Sequence, residues 1–420
     1  MSTTAVFFSL LTPFPKTRVR LSIISCHCSD HPLRVAFAGG ATGSNIYPAL
    51  AIADDLKAAN PTSRFLFLAI PDSVETAAIS AAGHPFATVS PAPPHNNPLL
   101  FPLRFFKTLF QCLRHLRDFR PHVVVGTGGY VSLPACLAAK LGGATVVIHE
   151  PNSVPGLANT LLALVADAIF VAFNSTLDTF PREKCLVCGN PVRLSLRKLV
   201  SKNTAMAHFF PGSDCEGKVL LVLAGSFGAH AVNIAMLNLY YEMLRQDGRL
   251  HVIWQTGVAA FDEMDSLVKT HPRLHLTPDH LSDVSPLYEG RFMHRMDLAY
   301  AAADLIVSRA GAMTCYEILA TGKPSILIPS PNFCEGNQFR NASLMADLAG
   351  MTVITEDELD SSTLAIAIEK IFRDKHKMEE MSERALKAAN LNASAEIAKH
   401  ILSLVNESTK KKRNGCKEES

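Results

Sequence analysis

Two stretches of this chain share one design. Residues 34–51, RVAFAGGATGSNIYPALA, pass from a short apolar run through Gly39, Gly40 and Gly43 into helix-like spacing at Ile46, Leu50, Ile52, Ala53 and Leu56. Residues 218–233, KVLLVLAGSFGAHAVN, repeat the order of strand, glycine turn and helix. Glycine lets a backbone turn sharply and come close to a ligand. Free N–H groups at a helix N-terminus suit a phosphate, a pyrophosphate or a sugar hydroxyl. Neither stretch is G-x-G-x-x-G or a Walker loop, so either alone is equally a strand–helix turn with no ligand. Their repetition divides the chain into two α/β units.

The intervening pattern agrees. RFLFLAI (64–70), HVVVG (122–126), TVVIHE (145–150), AIFVAF (168–173) and CLVCGN (185–190) read as buried strands. Helical stretches at 46–58, 102–118, 132–141 and 156–166 separate them. In the second unit HVIWQTG (251–257), LHLTP (274–278), RFM (291–293), LIVSRAG (305–311) and SILIPS (325–330) follow as strands with their loops. The predicted fold is α/β, two doubly wound parallel-sheet domains facing across a cleft, with ligands at the C-terminal ends of the strands. Residues 33–195 form the first domain, 196–217 a linker and 218–405 the second domain. Residues 406–420 are polar and charged and are expected to be disordered.

Composition limits the function classes. With 48% hydrophobic and 19% charged residues, 420 residues supply large cores. A net charge of +2 carries no nucleic-acid signature. No apolar run reaches the ~18 residues of a membrane-spanning helix, so a soluble or peripheral protein is expected. Residues 1–32 are rich in Ser and Thr, carry Lys16, Arg18 and Arg20, and have no acid before Asp30. That composition predicts a removable transit peptide, to a plastid ahead of a mitochondrion. The ten cysteines are scattered. Cys185 and Cys188 form the only C-x-x-C in the sequence, without a second pair at zinc spacing. No disulfide framework and a reducing compartment are expected.

Seven stretches, in order, carry a resemblance: GGATGSNIYPALA, GTGGYVSLPACLAA, HEPNSVPGLAN, GNPVR, GSFGAHAVN, SRAGAMTCYEI and NQFRNA. Over about residues 33 to 405 the chain resembles the MurG family of N-acetylglucosaminyltransferases. The resemblance implies a two-domain GT-B fold. It also implies transfer of N-acetylglucosamine from UDP-N-acetylglucosamine to a lipid-linked muramyl-pentapeptide, with inversion at the anomeric carbon. No cofactor is expected, and no metal, because no Asp-x-Asp motif stands near the donor positions.

The same resemblance assigns residues. Glu317 matches the ribose ligand, since a carboxylate accepts hydrogens from both vicinal hydroxyls. Ala312, Met313 and Thr314 lead into its helix and face the diphosphate or sugar, and Cys315 and Tyr316 complete that stretch. Ser226 matches a diphosphate contact and Met293 the residue packed on uracil. Met293 would otherwise read as an ordinary core methionine. Gln338 reads the donor sugar's hydroxyls, and Asn152 adds a contact from the first domain. Arg193 points to the cleft, where it can pair with phosphate charge; Arg309 is a second cation, or a salt-bridge partner. On the acceptor side, Thr42, Gly43 and Ser44 cradle the lipid-linked diphosphate, and Gly128, Gly129 and Tyr130 form a second turn. Residues 99–120 interleave apolar side chains with Arg104, Lys107, Arg114, Arg117 and Arg120. Such a helix suits an anionic membrane surface, or a core helix with a solvated basic face.

The chain departs from the family at its opening turn. GGATGSN stands where GGGTGGH is usual, so Ala41 and Ser44 replace glycines and Asn45 replaces histidine. A histidine can take the proton of the attacking hydroxyl; an amide cannot. Phe227, His230 and Asn337 differ as well. His149 and Glu150, at the end of TVVIHE, are the candidate bases in place of Asn45, or else a buried histidine and a loop-stabilising carboxylate. Three functions compete: the MurG-type transferase, a related transferase with another lipid acceptor, and a silent UDP-sugar-binding scaffold. GGYVS and HEPN favour the first; Asn45 and Phe227 favour the last.

Overall fold

The computed structural model describes residues 32–40, 43–71, 73–91, 98–197, 200–213, 216–225, 228–277, 295–331 and 337–418. Two wholly parallel sheets organise it. The first contains β1 (Arg34–Ala38), β2 (Arg64–Ala69), β3 (Phe86–Thr88), β4 (Val123–Gly126), β5 (Thr145–Glu150), β6 (Ala168–Val171) and β7 (Cys185–Val187), in the order β3-β2-β1-β4-β5-β6-β7. The second contains β8 (Lys218–Leu223), β9 (Leu250–Gln255), β10 (Leu274–Thr277), β11 (Leu305–Ser308), β12 (Ser325–Leu327) and β13 (Thr352–Val353), in the order β10-β9-β8-β11-β12-β13. In each sheet the order reverses beside the first strand, at β1/β4 and at β8/β11. Crossover helices then cover both faces, which is why the strands are near-continuous apolar runs. Val123, Val124 and Val125 are all fully buried, as are Leu220, Leu221 and Val222.

The predicted strands are present except RFM, which lies outside the described residues. Two short edge strands, β3 and β13, carry too little apolar sequence to be read from it. Residues 196–217 are more than a linker. They contain the Lys202–Phe209 helix, capped by Ser201, whose side chain accepts from Thr204 N. Met206, Phe209 and Phe210 are buried in the second unit's core. Residues 406–418 also differ from expectation, because they continue the Ala393–Glu418 helix. That helix begins in the second unit and returns to the first. Ile397, Ala398 and Ile401 pack with Val35, Phe37 and Ile52 in one cluster. An apolar stripe at i, i+1 and i+4 must be covered, and the first sheet's helices cover it.

The Phe101–Phe119 helix presents two unlike faces. Thr108, Cys112 and Leu116 are buried at i, i+4 and i+8. On the opposite side Leu103, Phe106 and Phe110 are 71%, 54% and 67% exposed, with Lys107, Arg114 and Arg117 among them.

Candidate active site

The first unit's two glycine turns meet where its strand order reverses. Thr127 N donates to Ala38 O at 2.9 Å, which ties the end of β4 to the end of β1. Gly129 has φ 80°, and a Cβ there would fall 1.9 Å from Gly40 O. Only glycine allows that approach. Asn45, in the first turn of the Gly43–Ala59 helix, joins the two turns. Its Nδ2 donates to Gly40 O at 2.6 Å, and its Oδ1 faces Gly128, 3.2 Å from where a Cβ would stand. The amide therefore braces the turns and does no proton transfer. Gly43 and Ser44 open the helix, Tyr130 follows Gly129 and is half-buried, and Thr42 lies outside the described residues.

The segment after β5 is organised by one carboxylate. Glu150 is 1% exposed. Its Oε1 accepts from Asn152 N and Asn152 Nδ2, both at 3.0 Å. Its Oε2 accepts from Gly156 N and Asn159 Nδ2, both at 2.9 Å. Burial pushes this carboxyl upward, and the bonds from Asn152, Gly156 and Asn159 oppose the push. With both oxygens doubly engaged, Glu150 holds the loop and is not placed to take a proton from an acceptor. His149 is fully buried, and neither ring nitrogen has a hydrogen bond of ordinary geometry to a described residue. Burial lowers it to about 4, with a weaker opposing contact from the Gly189 backbone. Both candidate bases thus take the structural roles weighed for them.

At the seam between the units stands Glu317, 2% exposed on the Ala312–Thr321 helix that follows β11. Arg193 Nε from the first unit lies 2.9 Å from Glu317 Oε1. Tyr300 Oη donates to Glu317 Oε2 at 3.0 Å. Burial, and then the charge of Glu317, holds the Tyr300 phenol well above its usual value. Arg193 also lies over the Tyr47 ring, 3.7 Å from its centroid, a cation–π contact. The two residues assigned to ribose and phosphate are therefore paired with one another.

The rest of that helix divides. Its N-terminus, after Gly311, has no side-chain cap, so the N–H groups of Ala312, Met313 and Thr314 are available to an anion. Met313 itself packs into the first unit's core. Cys315 and Tyr316 are core residues and not ligands. The Cys315 thiol is pushed up to about 12 by burial. The Tyr316 hydroxyl accepts from Asn390 N at 3.1 Å and lies where a Cβ on Gly189 would be, 1.9 Å away. Met313, Tyr316 and Glu317 all reach across the seam, Tyr316 with its ring against Phe173 and its hydroxyl beside Gly189, while Cys315 is fully buried. Ser226 and Met293 lie outside the described residues. Gln338 Oε1 accepts from Ser330 N at 3.0 Å. Arg309 takes the salt-bridge role, with Glu356, and donates to Ile328 O and Pro329 O.

Three further residues build the site. Asn341, 1% exposed, accepts from Ser153 N and Ser153 Oγ at 3.1 and 2.8 Å and donates to Ala310 O at 3.2 Å. It lies 3.4 Å from Asn152 Oδ1, so it joins the Asn152 loop to the Gln338 helix. Asn159 supports Glu150. Asn233 donates to Thr256 O at 2.8 Å and accepts from Trp254 Nε1 at 3.1 Å, beneath the second glycine turn. All three lie inside or beside quoted motifs, but side-chain amides look alike in sequence whether they touch a ligand or a neighbouring loop.

Two parallel-sheet units, each with a glycine turn at its switch point, define the GT-B fold. Residues 35–171 match the glycosyltransferase family 28 N-terminal domain and residues 219–401 its C-terminal domain. The UDP-N-acetylglucosamine--N-acetylmuramyl-(pentapeptide) pyrophosphoryl-undecaprenol N-acetylglucosamine transferase of Salinibacter ruber is 35% identical over 374 residues, covering 88% of this chain and 96% of that protein. The crystal structure of MurG from Acinetobacter baumannii superposes with a TM-score of 0.63 at 25% identity, covering 90% of this chain and all of that one. A UDP-GlcNAc 2-epimerase from Neisseria meningitidis, bound to UDP-GlcNAc, shares the fold at a TM-score of 0.65 and 16% identity, over 88% of this chain. The chain belongs to the MurG family.

Burial of His149 makes stability depend on pH. Its folded value of about 4 lies below the ordinary 6.5. The unfolded chain binds the extra proton, so this contribution is complete above pH 6.5 and is lost as pH falls toward 4. Urea unfolding of His149→Leu should show a shallower loss over that window, by up to about 3 kcal/mol. Parallel pH dependence in the two proteins would show that His149 carries none of it.

Proposed function

We propose that this chain transfers N-acetylglucosamine from UDP-N-acetylglucosamine to a lipid-linked N-acetylmuramyl-pentapeptide, inverting the anomeric carbon. The observation that carries this reading is the Arg193–Glu317 pair, which brings GNPVR and SRAGAMTCYEI together at the seam at 2.9 Å. On donor binding Glu317 exchanges Arg193 for the ribose hydroxyls, and Arg193 turns to the diphosphate. The uncapped N–H groups of residues 312–314 meet the same anion. Asn152 and Gln338 contact the sugar, with Ser226 and Met293 at the diphosphate and uracil. The first unit's joined glycine turns receive the acceptor diphosphate through Thr42, Gly43, Ser44 and Tyr130. Asn45 favours a second reading, a UDP-sugar binder without turnover, because its amide is bonded to Gly40 and takes no proton.

The transfer reading is tested with labelled UDP-N-acetylglucosamine and a short-chain lipid-linked muramyl-pentapeptide. A labelled disaccharide product is expected. Asn45→His should raise its rate by roughly 10²-fold where proton transfer limits. Donor binding with no product from either protein would establish the silent binder instead.

Glu317→Ala should weaken UDP-N-acetylglucosamine binding by about 1–3 kcal/mol, since charge-assisted bonds to the ribose are lost. Calorimetric titration of the folded variant reads this directly. Unchanged affinity would place the ribose elsewhere.

The exposed face of the Phe101–Phe119 helix supports peripheral attachment to an anionic membrane. No described helix is long and apolar enough to cross a bilayer. The acid-poor segment 1–32 supports delivery to a plastid. Replacing Phe106 and Phe110 together by serine should lower partitioning onto anionic vesicles at least tenfold, given the apolar area involved. Undiminished co-sedimentation would remove this face from the membrane contact.

A further inference from the structure

The Asn337–Ala349 helix turns Asn341, Ala342 and Met345 inward. On its outer side runs a groove of about 630 Å³, whose opposite wall is the first unit's loop after Pro151. Val154 and Pro155 stand on that wall, and Phe339, Arg340, Leu344 and Asp347 on the helix. The buried bonds from Ser153 to Asn341, at 3.1 and 2.8 Å, set its width. The groove is thus a built feature of the seam, next to Asn152 and Gln338.

Its lining is selective. Arg340 is exposed, and its guanidinium makes no hydrogen bond or ion pair with any described residue. Phe339, beside it, is 53% exposed. Asp347 follows two turns along the helix, about 10 Å away at 1.5 Å per residue. Ser175, Thr179 and Ser343 complete the lining, and a mixed slot with opposite charges two helical turns apart fits about three residues of extended peptide. It does not fit a nucleic acid, which requires a run of cations, or an acyl chain, which would cover Arg340, Asp347 and the hydroxyl residues without meeting them.

We propose that this groove receives the peptide of the acceptor, with a peptide carboxylate paired to Arg340. The proposal rests on the transferase reading above and adds a recognition site to it. The acceptor's diphosphate lies at the first unit's glycine turns and its lipid leads to the Phe101–Phe119 face. Its attacking hydroxyl must meet the donor sugar near Asn152. The peptide branches from that same muramyl ring at another position, and the groove lined by Ser153, Val154 and Phe339 adjoins Asn152 and Gln338. Arg340 acts there as a specificity residue, remote from the reacting atoms.

The test uses the full chain and two short-chain lipid-linked muramyl acceptors, one with the pentapeptide and one with none. Their affinities are measured by calorimetry, so turnover is not needed. The pentapeptide acceptor should bind about tenfold more tightly, the scale of one charge-assisted hydrogen bond. Arg340→Glu should abolish that preference, leave the peptide-free acceptor and UDP-N-acetylglucosamine unaffected, and be largely rescued in Arg340→Lys. Equal affinity for the two acceptors overturns the proposal. So does a preference that survives Arg340→Glu, or a loss shared equally by both acceptors. Binding of neither acceptor refutes the transferase reading itself, and the groove's assignment falls with it.

Discussion

The carboxylate of Glu317 is buried where the two sheet units meet, and removing an ion from water at such a place costs several kcal/mol unless partners satisfy it. The second unit supplies one partner, the Tyr300 hydroxyl. The other comes from the first unit as Arg193, itself held over Tyr47. A charge in one half therefore requires a residue of the other, and that requirement sets how the halves face one another. Other seam contacts follow the same logic with neutral groups: Asn341 with Ser153, and Asn390 Nδ2 donating to Cys188 O at 2.8 Å. Apolar packing of Met313 and Tyr316 flanks the Glu317 site, while the polar bonds at Glu317 itself are ones a polar ligand can exchange. Ribose hydroxyls and phosphate oxygens offer Glu317 and Arg193 what each now takes from the other.

Around this seam the loops are held by amides and one carboxylate. Glu150 organises residues 152–159 through the four bonds it accepts, and Asn45 keeps two glycine turns in contact. Both occupy positions where sequence motifs invite a chemical role. In Glu150 the number of satisfied donors decides the matter, because a carboxylate with every bond taken is a scaffold. In Asn45 the side chain's chemistry decides, because an amide near neutral pH has no proton equilibrium to offer.

Membership in a family of lipid-acceptor transferases gives meaning to the outer surfaces. The apolar, basic face of the Phe101–Phe119 helix belongs to the acceptor half. The groove beside Arg340 is shared by both halves.

The sequence alone determined the two α/β units, their parallel strands and the position of each glycine turn, because side-chain period and glycine's freedom are local properties. It also determined the family, since seven short motifs in order do not depend on how they pack. It could not decide which motif residues touch ligand. Cys315 and Tyr316 share a stretch with Glu317, yet Cys315 is turned into the core and Tyr316 is packed on Phe173 across the seam. Arg193 and Glu317 are 124 positions apart, and no local pattern pairs them. The Ala393–Glu418 helix reads as belonging to the second unit, and only tertiary packing returns its Ile397 and Ile401 to the first. Long-range contacts of this kind come from burying particular surfaces against one another. That is a property of the folded chain as a whole, and the tertiary structure alone decided it.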